Sequence, residues 1–262
     1  MQARFLASAA AIGAIMAAGP ASAATIAVLS GDSTLTMVDT ETWKATGSMD
    51  VSGIEGRLLG IDVRPADGML YGVTAAGSVV SIDPATGAAT EAAKLDLALA
   101  EGAVATVDFN PVADAIRIMG SDGTNLRAKI DAGTVTADGN HAFDGADMHN
   151  GETPNIVAGA YTNSVAGTET TALYNIDATI GGLIQQDPPN DGTLKAIGKL
   201  GIDAGATPAF DITADGQGGN SAWLLAGGTM YSVDLASGAA TEVGAVEVVP
   251  DDARDMAALP AM

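Results

Sequence analysis

The chain has 262 residues, 47% of them hydrophobic but only 4% aromatic, with 33 glycines and no cysteine. That composition supports a sizeable core of small side chains joined by many tight turns, and it excludes disulfides, thiolate metal sites and cysteine nucleophiles. Eleven Lys plus Arg against 32 Asp plus Glu give a formal charge of −21, which repels phosphate backbones and anionic membranes and so excludes nucleic acid as a partner.

Residues 1–23 read as a secretory leader. Arg4 is followed by an apolar run over residues 5–18, then Gly19-Pro20 and the small-residue end Ala21-Ser22-Ala23. The run is too short to span a bilayer, which needs about 20 apolar residues, and no later stretch serves as a membrane anchor. The expectation is a monomeric protein exported to the periplasm or medium, with one domain over residues 24–262.

A phrase of apolar run, Asp and short turn then recurs five times. Its aspartates are Asp39, Asp83, Asp131, Asp187 and Asp234, spaced 44, 48, 56 and 47 residues apart. Such a period belongs to a propeller blade. After the aspartate, phrases such as Asp83-Pro84-Ala85-Thr86-Gly87 and Asp234-Leu235-Ala236-Ser237-Gly238 supply a turn former and a glycine that tolerates positive φ. These five aspartates are therefore expected to be turn residues.

Taken in order, the second unit shows a whole blade. Leu59-Gly60-Ile61-Asp62-Val63, Met69-Leu70-Tyr71-Gly72-Val73, Val79-Val80-Ser81-Ile82 and a strand near residues 89–95 follow one another with turn signals between. Four short strands at such spacing make one antiparallel sheet. Units three, four and five repeat the plan. The N-terminal unit holds only three strands and lacks the first, whereas Arg254-Asp255-Met256-Ala257-Ala258-Leu259 at the other end has the character of a first strand. The predicted fold is all-β, a propeller of about five four-stranded antiparallel blades, its ring closed by the C-terminal strand pairing with the N-terminal blade.

First strands line the central channel of a propeller, and four of them carry an aspartate: Asp62, Asp108, Asp211 and Asp255. At a separation of ~8 Å and an effective dielectric of ~20, each neighbouring pair repels by about 2 kcal/mol. The candidates to offset that are backbone N–H groups, Arg57, Arg64 and Arg254, a shared proton, or a bound cation such as calcium. A second group, Asp138, His141, Asp144, Asp147 and His149, lies in a polar insert. Its spacing matches neither a zinc helix motif nor a calcium loop, so a solvated acidic loop is expected there. No nucleophile elbow, phosphate-binding loop or dinucleotide fingerprint occurs.

Several phrases carry a likeness. Leu59-Gly60-Ile61-Asp62-Val63-Arg64-Pro65, Val107-Asp108-Phe109-Asn110-Pro111 with Asn125-Leu126-Arg127, Ala160-Tyr161-Thr162-Asn163, and Pro188-Pro189-Asn190-Asp191-Gly192-Thr193-Leu194 resemble a bacterial secreted family catalogued only as a domain of unknown function, the 4394 family. The resemblance covers about residues 58–246 and implies a β-propeller and export, with no activity to carry over. Asn110, Asn125, Arg127, Tyr161 and Asn163 match its motifs. They suggest either a ligand-binding surface near one mouth of the ring or hydrogen bonding between blades. The insert over residues 140–154 departs from the likeness.

Two functions follow as expectations. The preferred one is a binding module for a small polar ligand, a cation or a protein partner, with no certain cofactor beyond the calcium candidate. The alternative is a carboxylate-dependent hydrolase or lyase on the same fold, acting on a polysaccharide or ester.

Overall fold

The computed structural model describes residues 25–96, 99, 103–247, 249–250 and 252–260; the leader over residues 1–23 lies outside them. Turn chemistry cuts the chain into short strands. Asp39 accepts the backbone N–H of Glu41 and of Thr42, Asp83 that of Ala85, and Asp234 those of Ala236 and Ser237, so three of the five repeated aspartates close Asx-type turns after a strand. The other two carry ion pairs, Asp131 with Arg64 at 3.2 Å and Asp187 with Lys195 at 2.8 Å.

The strands form five antiparallel sheets arranged as propeller blades. The first blade contains β1 (Thr25–Ser30), β2 (Thr34–Asp39) and β3 (Lys44–Asp50), and the second β4 (Leu58–Val63), β5 (Leu70–Thr74), β6 (Ser78–Ile82) and β7 (Ala89–Lys94). The third is β8 (Ala105–Asn110), β9 (Ala115–Gly120), β10 (Asn125–Lys129) and β11 (Thr134–Ala137). In the fourth, β13 (Ile156–Tyr161), β14 (Leu173–Asp177), β15 (Gly182–Gln186) and β16 (Thr193–Lys199) are joined by a fifth, parallel edge strand, β12 (Ala142–Phe143), contributed by the acidic insert. The last is β17 (Ala209–Ala214), β18 (Asn220–Ala226), β19 (Thr229–Val233) and β20 (Ala240–Ala245).

The ring closes as the sequence predicts. β21 (Asp255–Leu259) pairs antiparallel with β1, from Thr25 opposite Leu259 to Leu29 opposite Asp255, and becomes the innermost strand of blade 1. The fold is an all-β five-bladed propeller.

Burial falls from axis to rim. β4, β8 and β13 are buried along almost their whole length, whereas β3, β7, β11 and β20 alternate between half-buried and exposed. The inner strands are covered on both faces by neighbouring blades, which explains their near-continuous apolar sequences. Apolar side chains gather into five clusters, one in each wedge between adjacent blades. Four wedges hold aromatic rings: Tyr71 against Phe109, Trp43 against Trp223, Phe143 with Tyr161, and Phe210 with Tyr174 and Tyr231. Among the described residues the wedge between blades 1 and 2 holds none.

Candidate functional site

The four channel aspartates sit on the inner strands β4, β8, β17 and β21 and are buried, between 2% and 8% exposed. Each reaches sideways to the next blade. Asp255 accepts the N–H of Ile61 at 2.9 Å, Asp62 that of Phe109 at 2.6 Å, Asp108 that of Tyr161 at 3.0 Å and Asp211 that of Ala258 at 2.7 Å. Four of the five blade junctions are thus stitched by a carboxylate. The inner strand of blade 4, β13, carries no aspartate, and its Gly159 N–H is received by Thr106 Oγ1 at 3.2 Å, a second link across the junction that Asp108 ties. The remaining junction, between blades 4 and 5, is tied further out. There Asn220 Oδ1 accepts the N–H of Asn163 at 2.7 Å, and Asn220 Nδ2 donates to Asn163 Oδ1 at 2.9 Å.

The inner strands leave room for this. A Cβ on Gly60 would collide with Asp255 Oδ2 and with Val107, so the Asp255 carboxylate occupies the space that glycine vacates. Of the candidate counter-ions, Arg57 donates to Ala103 O, Arg254 to the carbonyls of Gly31, Leu58 and Leu59, and Arg64 pairs with Asp67, Asp114 and Asp131. Among the described residues none of the four channel carboxylates is in a salt bridge. Backbone N–H groups are what offset their burial.

That offset is incomplete. Carboxylate oxygens of Asp62, Asp108 and Asp211 all lie within 4.8 Å of one another. Burial pushes all four acids up, those of Asp62, Asp108 and Asp255 well above the usual carboxylate range, and mutual repulsion adds to it for Asp62 and Asp108. Three buried carboxylates at this spacing hold either protons or a cation.

The residues from the family-like motifs converge elsewhere, on Arg117 of β9 in the wedge between blades 3 and 4. Arg117 is 1% exposed. Its Nε donates to the Tyr161 hydroxyl at 3.1 Å, one terminal nitrogen to Asn125 Oδ1 and Asp138 Oδ2, both at 2.7 Å, and the other to Asn190 Oδ1 at 2.7 Å. Arg127 holds the other side of Asp138 at 3.1 Å, and Asn125 Nδ2 donates to the carbonyls of Gly139 and Pro189. Asn125, Arg127 and Tyr161 thus meet in one buried network that joins blade to blade. Asn110, the last residue of β8, borders the network through the Tyr161 hydroxyl while its Oδ1 accepts the N–H groups of Val112 and Ala113, and Asn163 stands apart in the loop between β13 and β14.

Arg117 is the residue that sequence reasoning missed. In Ile116-Arg117-Ile118-Met119 it looks like the solvent-facing member of an alternating strand. A second strand in a blade is covered on both faces over most of its length, however, as β9 is over all of it, and that covering was the available signal. Beside the network, His141 is 7% exposed with neither ring nitrogen hydrogen-bonded. Burial, aided by the Arg117 charge, pushes its pKa down to about 4. The other histidine of the insert is separate: His149 Nδ1 lies 3.1 Å from Glu152. Asp144 and Asp147 accept backbone N–H groups of the loop and of Ala196. The insert aspartates and histidines therefore do not gather about one point.

The family model described as a domain of unknown function, DUF4394, matches residues 34–257. The chain belongs to that family. The Asn125-Leu126-Arg127, Tyr161 and Pro188-Pro189-Asn190 motifs of this DUF4394 chain are those that surround Arg117. No curated protein matches the sequence. Solved structures that are similar include two proteins of unknown function. A protein of unknown function from Bacteroides caccae is 11% identical, with TM-score 0.46, covering 87% of this chain and 76% of its own. A structural genomics protein of unknown function from Bacteroides thetaiotaomicron VPI-5482 is 15% identical, with TM-score 0.57, covering 92% of this chain and 62% of its own. The second likeness shows the fold and nothing of activity.

Proposed function

We propose that the protein is an exported, monomeric binding module that holds a divalent cation, calcium by the oxygen-only character of the donors, between Asp62, Asp108 and Asp211 at the hub of the propeller. Export rests on the leader read in residues 1–23. The observation that carries the cation is the approach of three buried carboxylates, none of them paired with a cationic side chain among the described residues. Two oxygens on opposite sides of a calcium ion, each bound at about 2.3–2.6 Å, lie up to about 4.6–5.2 Å apart. A trio within 4.8 Å fits that span, and calcium tolerates the irregular all-oxygen set better than magnesium, which demands near-ideal octahedral geometry and gives up its water reluctantly.

Burial also favours an ion over a polymer. A polysaccharide or ester does not reach carboxylates this enclosed, so nothing specific favours the hydrolase or lyase reading. A cation would complete the stitching of the inner strands, coupling ligand binding to the closure of the ring.

The test is thermal unfolding in EDTA, calcium and magnesium, with isothermal titration of calcium into the apoprotein. Saturating calcium at 100 times its Kd stabilises by about 2.7 kcal/mol and raises the melting temperature; magnesium does less. Asp108→Asn, which keeps an oxygen for the Tyr161 N–H but removes a charge, abolishes the calcium effect. Identical melting in EDTA and calcium, together with a flat titration, would overturn the proposal.

A further inference from the structure

The wedge between blades 1 and 2 differs from the other four. Nine of the ten aromatic residues of the chain stand in the other wedges, and the tenth is Phe5 of the leader. With only aliphatic side chains to fill it, this wedge opens toward its outer end into a groove of about 800 Å³. Its floor is the continuation of the blade 1 to blade 2 core, through Met37, Leu70, Ile82 and Leu259. Met69 on its wall is 46% exposed, one of the few large apolar side chains left so open among the described residues. The volume and apolar lining are those of a small-molecule site.

Charge selects the occupant. Among the described residues no Lys or Arg lines the groove, and the one charged side chain that does is Asp83. Its carboxylate is held below the usual range by the Ala85 N–H and the Thr86 hydroxyl, and so stays ionised. The whole chain carries −21. An anionic amphiphile is repelled on both counts.

We infer that this groove is a binding site for a small apolar molecule bearing one positive charge, its hydrocarbon part lying on the Met37, Leu70, Ile82 and Leu259 floor and its cationic head beside Asp83. The site is separate from the hub, so its occupancy does not depend on calcium.

The probe is decyltrimethylammonium below its micelle concentration, titrated calorimetrically against decyl sulfate, which has the same tail and the opposite head. Saturable one-to-one binding of the ammonium is expected, at least tenfold tighter than the sulfate. Ala88→Trp, on the exposed wall of the groove, fills it without changing the charge of the protein and should weaken the ammonium at least tenfold. Asp83→Asn, which keeps a side-chain acceptor for the turn, should narrow the difference between heads several-fold. If Ala88→Trp does not fold, Met69→Trp replaces it. Equal binding of both heads, the absence of saturation, or ammonium binding unchanged in the filled variant would overturn the inference, the last because it leaves only diffuse attraction to an acidic surface.

Discussion

At the scale of single residues, the wedge between blades 3 and 4 is held by one buried guanidinium. Removing Arg117 leaves the Asp138 carboxylate, 5% exposed, with only Arg127 beside it and strips acceptors on Asn125, Asn190 and Tyr161 of their donor. Breaking one side of a buried, hydrogen-bonded pair costs roughly 3–5 kcal/mol. Arg117→Met is therefore expected to lower unfolding free energy by that amount in a urea titration, whereas Arg127→Ala, whose side chain is 32% exposed, should cost about 1 kcal/mol or less. Equal losses would show that the network is not centred on Arg117. His141 contributes a pH dependence in the same wedge. Its folded pKa of about 4 lies below the ordinary 6.5, so the unfolded chain takes up the proton first as pH falls. Stability from the neutral ring is full above pH 6.5 and is lost between pH 6.5 and 4, to a total of about 3 kcal/mol. The channel acids, shifted upward, act with the opposite slope. The His141 part is isolated by subtracting the stability profile of His141→Phe from that of the parent, and a flat difference over that range would refute it.

At the scale of the element, each inner strand must let a neighbour's carboxylate reach its backbone. Gly60 in β4 does this for Asp255. Gly60→Ala would push that carboxylate off the Ile61 N–H and crowd Val107, at an expected cost of about 1–3 kcal/mol for overpacking and more if the carboxylate is left unbonded. Gly47 in the outer strand β3 has nothing within 4 Å of a would-be Cβ and no positive φ, so Gly47→Ala should change stability by less than about 1 kcal/mol. Denaturant midpoints for the pair would test the contrast. The same distinction explains what the sequence made legible. Turn aspartates such as Asp83 and Asp234 act on residues two or three positions away, so the repeat was visible in a linear reading. The channel aspartates could be placed on a common axis once the repeat was known. Arg117 could not be matched with partners as distant as Asn190, 73 residues on, nor could the bare wedge be seen, because both depend on which blade faces meet.

At the scale of the molecule, closure is the property on which both proposed sites depend. β21 is the inner strand of blade 1, yet it is bonded to three blades: paired with β1 in its own, linked to blade 2 through Asp255 and Ile61, and to blade 5 through Asp211 and Ala258. Arg254, just ahead of it, donates to the carbonyls of Leu58 and Leu59 at the start of β4. Ending the chain after residue 253 removes all of these and uncovers β1, whose residues 26–30 are buried. It also uncovers the faces of blades 2 and 5 that β21 covers. An open apolar edge of this kind seeks another strand. The truncated chain is therefore expected to lose its single cooperative calorimetric transition and to self-associate in light scattering, while a point change at the rim such as Gly47→Ala does neither. The groove loses Leu259 with β21 and the hub loses the Ala258 N–H that orients Asp211, so calcium and decyltrimethylammonium binding should vanish together in the truncated chain although they are independent in the intact one. A truncated chain that stays monomeric, melts within a few degrees of the parent and binds either probe would mean that the blades stand without the ring.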